Sequence, residues 1–538
     1  MYNQTFTWGR SKNQYRRNNW VEWLWTVGLL LAAVLLFSIN LGSLPLRDWD
    51  EGTVAQVARD IWLAPSGSWR WLYPTLGGEP YLNKPPLMHW LIALAYSVGG
   101  VNEWTSRLPG AMLTAISVPL LYSIGREIFP QRLPAIFSAL IYLTMLPVVR
   151  HGRLAMLDGA VLCFLLLMVW CLLRSRRDWR YCLGIGIGFG LLCLTKGILG
   201  ILLGAIALLF LLWDTPRLLT SWYLWAGVFI GSAPMALWYA AQWLHYSHSF
   251  TREAIVNQSL LRIWAPVEQH KGQPWYYLLE ILKYTWPWLI FLPQGLGKTW
   301  ENRNLSWAKL VLVWIGLYLL AISLMETKLP WYVLPIYPAI ALAAGIQLVD
   351  DWNWPPASYP RAVVAFLALL AVVGWVAQIY FSPWGPAKDW EVQLILAAVA
   401  GTMSLSAVLA ARGDRQFLLI LFWGTYVSLL LLMTSHHWNW ELAEAYPVKP
   451  VAAMIQRGTP VGKTVYTSYP GGRPSLDFYS DRRIIPNTNS ELQDHWQKDP
   501  QPYLLLDQLA RQNLTLKSVK LVGTAEGWVL VTKDTPLG

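Results

Sequence analysis

Charge is what this chain has least of. Only 14% of its 538 residues are Asp, Glu, Lys or Arg, against 55% that are hydrophobic, where a soluble domain carries about a quarter charged. A water-facing surface along the whole length is therefore excluded. Cysteine is scarce too. Cys163, Cys171, Cys182 and Cys193 all sit inside apolar runs, so they read as small buried hydrophobes, with neither a disulfide framework nor metal-ligand spacing. The net charge of +11 belongs to loops that anchor apolar segments, and no RNA- or DNA-binding motif accompanies it, which excludes nucleic acid as a partner. Low-complexity tracts and a repeat of transporter type are also missing.

What is present is a series of apolar runs, each about the length that crosses a ~30 Å hydrocarbon core, and 35 tryptophans, which suit the two water–lipid borders. Spans are expected near 21–39, 108–125, 133–149, 158–173, 181–195, 198–213, 221–243, 275–293, 310–325, 331–348, 362–381, 391–411 and 416–434. The first has a basic flank (Arg10, Lys12, Arg16, Arg17) but no A-x-A-like site after it, and reads as an uncleaved span. Residues 87–100 are apolar for only fourteen positions and read as re-entrant or interfacial. Thr195-Lys196-Gly197 breaks 181–213 into a hairpin, because a lysine at the bilayer centre costs ~3 kcal/mol.

With the amino terminus inside, the loops REIFPQR, RSRRDWR, WDTPR, Lys298–Lys309 and RGDR fall inside, and each is basic. The fold class is then an all-α polytopic membrane protein of about thirteen transmembrane helices over residues 1–439. Its first outer loop, 40–107, carries interfacial helices. Residues 440–538 alternate β-rich runs (TVYTSY, RRIIP, YLLLD, GWVLVTK) with helical stretches (VAAMIQRG, SELQDHWQ), which predicts a small extracytoplasmic α/β domain.

Directly after the first span the chain reads RDWDEGTVAQVARDIW. Val54, Val57, Ala58, Ile61 and Trp62 form one helical stripe, expected to float in the membrane interface. Asp50 is placed to cap that helix. Under this topology the unusual polar residues gather on the outer side: Asp48, Asp50, Glu51, Glu79, Lys84 and His89, then Arg150, His151, Arg153 and Asp158, then Lys196. Residues 244–274 add Arg252, Glu253, Asn257, Gln258, Arg262 and His270, and ETKLPWY adds Glu326, Lys328 and Tyr332. Lys and Arg hold phosphate, and a carboxylate can take a proton from an acceptor. Taken singly each has a structural reading. Lys84 could snorkel before Pro85-Pro86, Arg153 and Asp158 could staple two helix ends, and His151, His270 and Tyr332 could be interfacial side chains. Glu280 and Lys283 read as an i,i+3 pair. Their convergence on one face favours a site.

WDEGTVAQVARDIW resembles the Asp-Glu motif in the first outer loop of GT-C glycosyltransferases. More narrowly, it is similar to the aminoarabinose lipid A transferase and dolichyl-phosphate-mannose protein mannosyltransferase group. YLNKPPLMHWL, HGRLAMLD, LTKG, the HKGQPWYYL run and KLPWYVLPIYPAIAL follow in matching order. The match covers about residues 20–350, and the last spans and outer domain match in layout only. The resemblance implies transfer of a sugar from a polyprenyl-phosphate carrier to a lipid (lipid A-like), glycan or protein acceptor. Asp50 matches the essential carboxylate, with Glu51 beside it as the second catalytic candidate. Lys84, Arg262 and Tyr332 match groups that hold the donor phosphate, and Asp158 and Lys196 match supporting members of the same site. His151, Arg153, His270 and Lys328 join them as substrate-contact or supporting candidates by location.

The chain departs from the lipid A enzymes in three places. Thr53-Val54 replaces Arg-Tyr, Asn83 replaces a Glu linked to metal binding, and Gln258 falls near the associated histidine. These departures argue against a zinc site and against aminoarabinose and lipid A as the particular substrates. The cofactor question is otherwise left open, and the polyprenyl-phosphate sugar enters as substrate. The expected setting is the bacterial inner membrane, with the amino terminus cytoplasmic and the active site and carboxyl-terminal domain periplasmic. The competing readings are a protein O-mannosyltransferase or polysaccharide-modifying relative, a lipid-linked sugar transporter or flippase, and a membrane scaffold. Transporters bury ionisable groups at the midplane, whereas these gather at one surface; a scaffold leaves the clustered acids and bases unexplained.

Overall fold

A computed structural model describes residues 12–266, 270–353, 359–439 and 446–534, with side chains from residue 19 onward except that of Ser259. Arg10, the side chains of Lys12, Arg16 and Arg17, and the expected domain boundary at 439/440 lie outside the described residues. Among those described, eight helices are long and apolar enough to cross a membrane: Asn19–Ser38, Glu103–Ile128, Trp222–Tyr246, Ser306–Leu324, Pro330–Asn353, Arg361–Tyr380, Trp390–Ala411 and Gln416–Thr434. Leu133–Leu143 and Leu146–Gly152, bent by 59°, make a ninth if taken as one broken span. The protein is a polytopic, mostly helical membrane protein.

The expectation of thirteen spans meets shorter and broken elements at the remaining places. Asp158–Arg174, Cys182–Lys196 and Ile198–Asp214 are 17, 15 and 17 residues long. The run 275–293 is not one helix but three pieces, Tyr276–Tyr284, Trp288–Phe291 and Leu292–Glu301. Pro287 lies at the first break, where a prolyl ring lacks the N–H a helix needs. Leu87–Gly99, at 13 residues, has the short length expected of it.

The basic loops meet at one end of the bundle through ion pairs. Glu22 binds Arg126 and Arg132, Glu127 binds Arg174 and Arg177, and Asp214 binds Arg176 and Lys309. The opposite end carries the first long loop and the carboxyl-terminal layer. There, Ile484–Pro486, Val465–Thr467 and Tyr503–Leu506 pair in parallel, and Trp528–Lys533 and Val519–Ala525 complete the five-stranded sheet antiparallel. Four of these strands and the helices Val448–Gly458 and Asn489–Lys498 coincide with the sequence pattern. The strand Val519–Ala525 and the helix Pro474–Ser480 were not expected.

Two details place the site. Asn102 caps Glu103–Ile128 reciprocally, accepting from Thr105 N at 2.9 Å while its own N–H donates to Thr105 Oγ1 at 3.2 Å. That sets Arg107 in the first turns of a buried helix. Gly197 joins Cys182–Lys196 to Ile198–Asp214 at φ +57°, ψ −120°, a conformation only glycine adopts readily. The hairpin therefore turns with Lys196 at its tip.

Candidate active site

The opening motif folds differently from expectation. Asp48–Gly52 is a wide helical turn running straight into the helix Thr53–Trp62, and no side chain caps that helix. The helix does not float in the interface: Val54, Ala55, Gln56, Val57, Ala58 and Asp60 are buried against protein, with the Tyr96 hydroxyl donating to Ala55 O at 3.4 Å. The apolar stripe is real, but it is covered by the helix Leu87–Gly99 and by Pro474–Ser480 rather than by lipid.

The three carboxylates of that turn go three ways. Asp48 accepts from Arg473 Nε at 2.7 Å and from the Ser475 hydroxyl. Glu51 is wholly enclosed. Its oxygens take Arg107 Nε at 2.7 Å and Nη2 at 2.8 Å, Ala155 N at 2.8 Å and Arg47 N at 3.1 Å. Burial pushes its carboxyl up, but the Arg107 charge and these bonds outweigh burial and hold it below the usual carboxylate range. With its oxygens so occupied, Glu51 fixes the turn to Arg107 and Ala155. Asp50 is the one left at a surface: it pairs with Arg47 Nη2 at 3.2 Å and keeps 22% of its side chain exposed.

A second group is knit together from four segments. Lys84 Nζ donates to Gln258 Oε1 at 3.3 Å, Arg262 Nη2 donates to that same oxygen at 3.1 Å, and Arg262 Nη1 donates to the Tyr332 hydroxyl at 3.1 Å. Lys196 Nζ stands 5.8 Å from the Tyr332 ring centre and is paired with Asp158 at 2.7 Å. Burial pushes the Lys84 ammonium down to about 7, helped by the positive charges of Arg262 and Lys196 and opposed by Asp158 and Glu253. Local structure explains the assembly. Backbone bonds from Thr327 N to Arg262 O at 3.2 Å and from Lys328 N to His270 O at 2.9 Å tie Arg262 and His270 to the ETK turn. The following turn, Pro330–Ile336, is held by the Tyr318 hydroxyl on Tyr332 O at 2.8 Å and by Leu329 N donating to Tyr277 Oη at 3.2 Å.

Other candidates lie apart from this group. Lys328 turns inward, donating to Ile322 O at 3.0 Å and Ser323 O at 2.7 Å, so its ammonium caps a helix end. Arg153 does not pair with Asp158, which is engaged by Lys196; it donates to Ile39 O and to Met433 O at 3.4 Å, and lies 4.4 Å over the Trp438 ring. His151 bonds Pro147 O at 3.2 Å and lines a separate narrow cleft with Arg150, Glu280 and Tyr337. His270 enters through its backbone carbonyl. Glu280 and Lys283 do pair, at 3.4 Å.

What stands assembled is a solvent-reachable carboxylate on one loop and a three-cation cluster with a tyrosine hydroxyl on others. Residues 83–239, which include Lys84, Asp158 and Lys196, match the family model described as dolichyl-phosphate-mannose-protein mannosyltransferase. A curated relative, undecaprenyl phosphate-alpha-4-amino-4-deoxy-L-arabinose arabinosyl transferase 1 of Pseudomonas fluorescens, is 29% identical over 396 residues, spanning 70% of this chain and 69% of its own. The transferase of the same description from Pseudomonas savastanoi pv. phaseolicola is 28% identical, covering 75% of this chain and 76% of its own. The fold superposes on ArnT from Cupriavidus metallidurans, solved with undecaprenyl phosphate, at TM-score 0.78 and 18% identity, covering 96% of this chain and 99% of that one. The chain is a membrane glycosyltransferase, similar to transferases of the aminoarabinose group.

Within this glycosyltransferase, sequence reading underrated Gln258 and passed over Arg107 and Arg473. Gln258 stood among the outer polar residues and as a departure from the resemblance, without a role; its amide oxygen joins Lys84 to Arg262, while its amide nitrogen donates to Glu253 Oε1 at 3.4 Å. The i,i+4 spacing of Gln258 and Arg262 was the available signal. For Arg107 the signal was an arginine in an otherwise apolar helix; for Arg473 there was none.

Proposed function

We propose that this glycosyltransferase moves a sugar from a polyprenyl-phosphate-linked donor to a lipid A-like acceptor, at the non-cytoplasmic border of a bacterial plasma membrane, in one inverting displacement. The observation that carries this is the continuous chain Lys84–Gln258–Arg262–Tyr332 with Lys196 beside it. Clustered cations and a hydroxyl at the edge of an apolar bundle suit the phosphate of an amphipathic lipid. The curated relatives are named for undecaprenyl phosphate-linked aminoarabinose, which supports the donor class.

In the displacement, the acceptor oxygen attacks the anomeric carbon as the bond from that carbon to the phosphate oxygen breaks, and the polyprenyl phosphate departs with the electron pair. Phosphate is already a good leaving group, so cations suffice to hold its developing charge. Lys84, Arg262 and Tyr332 take that electrostatic role. Asp50 accepts the proton of an acceptor hydroxyl, or orients the acceptor where it is itself a phosphate. Asp158 holds Lys196 in place through their ion pair. A single displacement without a covalent sugar–enzyme intermediate inverts the anomeric carbon.

The test is Asp50→Asn and Lys84→Ala in purified full-length enzyme, each matched for membrane level. Radiolabelled undecaprenyl phosphate-linked 4-amino-4-deoxy-L-arabinose and lipid A serve as substrates, and the product's anomeric configuration is read by NMR. Loss of transfer in both variants with inversion in the wild type is expected. Near-wild-type transfer in either variant removes its assigned role, and retention of configuration removes the single displacement. For topology, cysteine accessibility should label positions 50 and 332 from the periplasm and the amino terminus only after permeabilisation.

A further inference from the structure

The carboxyl-terminal layer is not appended to the bundle at a distance; it is bolted to the turn that bears Asp50. Arg473 grips Asp48, two residues before Asp50, through Nε at 2.7 Å, and Ser475 grips the same carboxylate with its hydroxyl. Arg473 is itself fixed by the layer's own core: Nη2 donates to Tyr446 O at 3.1 Å, the guanidinium lies 3.9 Å over the Tyr446 ring, and that ring packs on Trp528 at 4.9 Å. Gly52, at the other end of the turn, leaves no room for a side chain, since a Cβ there would come within 2.7 Å of Ser475 N. A side chain at Gly471 or Gly472 of the same loop would bring its Cβ to 3.7 or 3.9 Å from the Trp49 ring.

The flanks of the motif are held as well. The Tyr479 hydroxyl accepts from Leu46 N at 2.8 Å and donates to Glu103 at 3.0 Å, Lys449 pairs with Glu103 at 2.5 Å, and Arg59 and Glu79 pair with Asp481 and Arg483. Within the turn Asp48–Gly52, Asp48 and Gly52 therefore meet this layer and Glu51 meets the buried Arg107. A docking surface needed only to hold a domain on a bundle could have used any part of the outer face. This one includes the turn that bears the candidate proton acceptor, gripping Asp48 directly and packing Gly52 against Ser475.

We infer that the carboxyl-terminal layer is a working part of the active site, with Arg473 as a positioning residue that aims the Asp50 carboxylate by holding Asp48. The inference rests on the reading of Asp50 as the group that receives or orients the acceptor. A carboxylate in a turn can swing by an ångström or more, and a misplacement of ~1 Å costs on the order of 100-fold in rate. Two independent grips on Asp48 and a steric stop at Gly52 remove that freedom. Donor binding depends on Lys84, Arg262 and Tyr332, which lie on other segments, so the effect should be on turnover and not on donor affinity.

The experiment uses full-length enzyme in nanodiscs and compares Arg473→Ala, Asp48→Ala, their double variant and Asp50→Asn. Rates with the labelled aminoarabinosyl donor and lipid A are divided by the number of sites that bind labelled undecaprenyl phosphate. That normalisation separates a poorly folded preparation from a misaimed carboxylate. Each single variant should lower kcat roughly 10- to 100-fold, with donor KM within about twofold of the wild type. The double variant should be no worse than the weaker single, because both act through one contact. Additive losses, or kcat near wild type in Asp48→Ala, would overturn the inference while leaving an inactive Asp50→Asn, and with it the proposed function, intact. Near-wild-type rates in Asp50→Asn would instead bring down the reading of Asp50, and the inference with it.

Discussion

Glu51 and Arg107 form a two-pronged ion pair, Nε to Oε1 at 2.7 Å and Nη2 to Oε2, in which neither side chain has any exposed surface. The remaining guanidinium protons go to Leu41 O, Leu44 O and Pro45 O at 2.9, 2.7 and 2.8 Å. A pair so enclosed costs several kcal/mol of desolvation to form, and removing one partner strands the other charge. Glu51→Ala or Arg107→Ala should therefore destabilise by ~3–5 kcal/mol, read as a large fall in thermal midpoint in detergent. Glu51→Leu combined with Arg107→Met should recover much of that loss, since no charge is then left unpaired. A Glu51→Ala protein as stable as the wild type would show that the pair carries no such load.

Lys84 supplies a pH dependence. Its ammonium sits at about 7 because of burial and its cationic neighbours, so in the free enzyme it is charged below that pH and increasingly neutral above it. A sugar-linked polyprenyl phosphate is a diester with no proton to lose near neutrality, so the titration belongs to the enzyme. Donor kcat/KM should fall as pH rises through about 7. In Lys84→Arg, whose guanidinium stays protonated, that limb should disappear, which a pH–rate profile from 6 to 9 would reveal.

Tyr332 offers a cleaner deletion than any cation. Its hydroxyl accepts from Arg262 at 3.1 Å, leaving its own proton for a phosphate oxygen. Tyr332→Phe keeps the ring and the turn but removes that donor. A hydrogen bond to a charged group is worth about 1.5 kcal/mol or more, so donor KM should rise about 10-fold with kcat nearly unchanged. An equal loss in kcat would move the tyrosine from binding to the transition state.

Asp477, on the helix that packs against the motif, is raised to about 7, chiefly by burial and secondarily by the nearby Asp60 charge, against the pull of Ile484 N, Arg483 and Arg59. An acid whose folded value lies above its unfolded one favours the folded state when protonated. Stability should thus be greatest below pH 4, decline up to about 7, and then level off in respect of this group. Asp477→Asn should flatten that slope, measurable as thermal midpoint against pH from 4 to 8.

Most of the long helical spans, the Lys196 hairpin and most of the carboxyl-terminal sheet were legible in the sequence, because length, period and polarity suffice for them. So were Lys84, Arg262 and Tyr332 as members of one group, through their motifs. The run 275–293 was misread because apolar composition does not register a break such as that around Pro287. The stripe of Thr53–Trp62 was read correctly as a buried face and wrongly as a lipid-covered one, since lipid and protein impose the same apolar requirement.

By itself the sequence determined that this chain lives in a membrane, where its apolar segments lie, and that acids and bases crowd the loops of one end. It could not assign partners. Asp48, Asp50 and Glu51 sit within four residues and are nearly alike chemically, yet one is held by Arg473, one stays at the surface beside Arg47, and one is sealed against Arg107. Their separate fates depend on which cation the fold brings within hydrogen-bonding reach and how much water it removes. For Asp48 and Glu51 both are properties of packing between distant segments, as far apart as residues 48 and 473, and no local pattern encodes them.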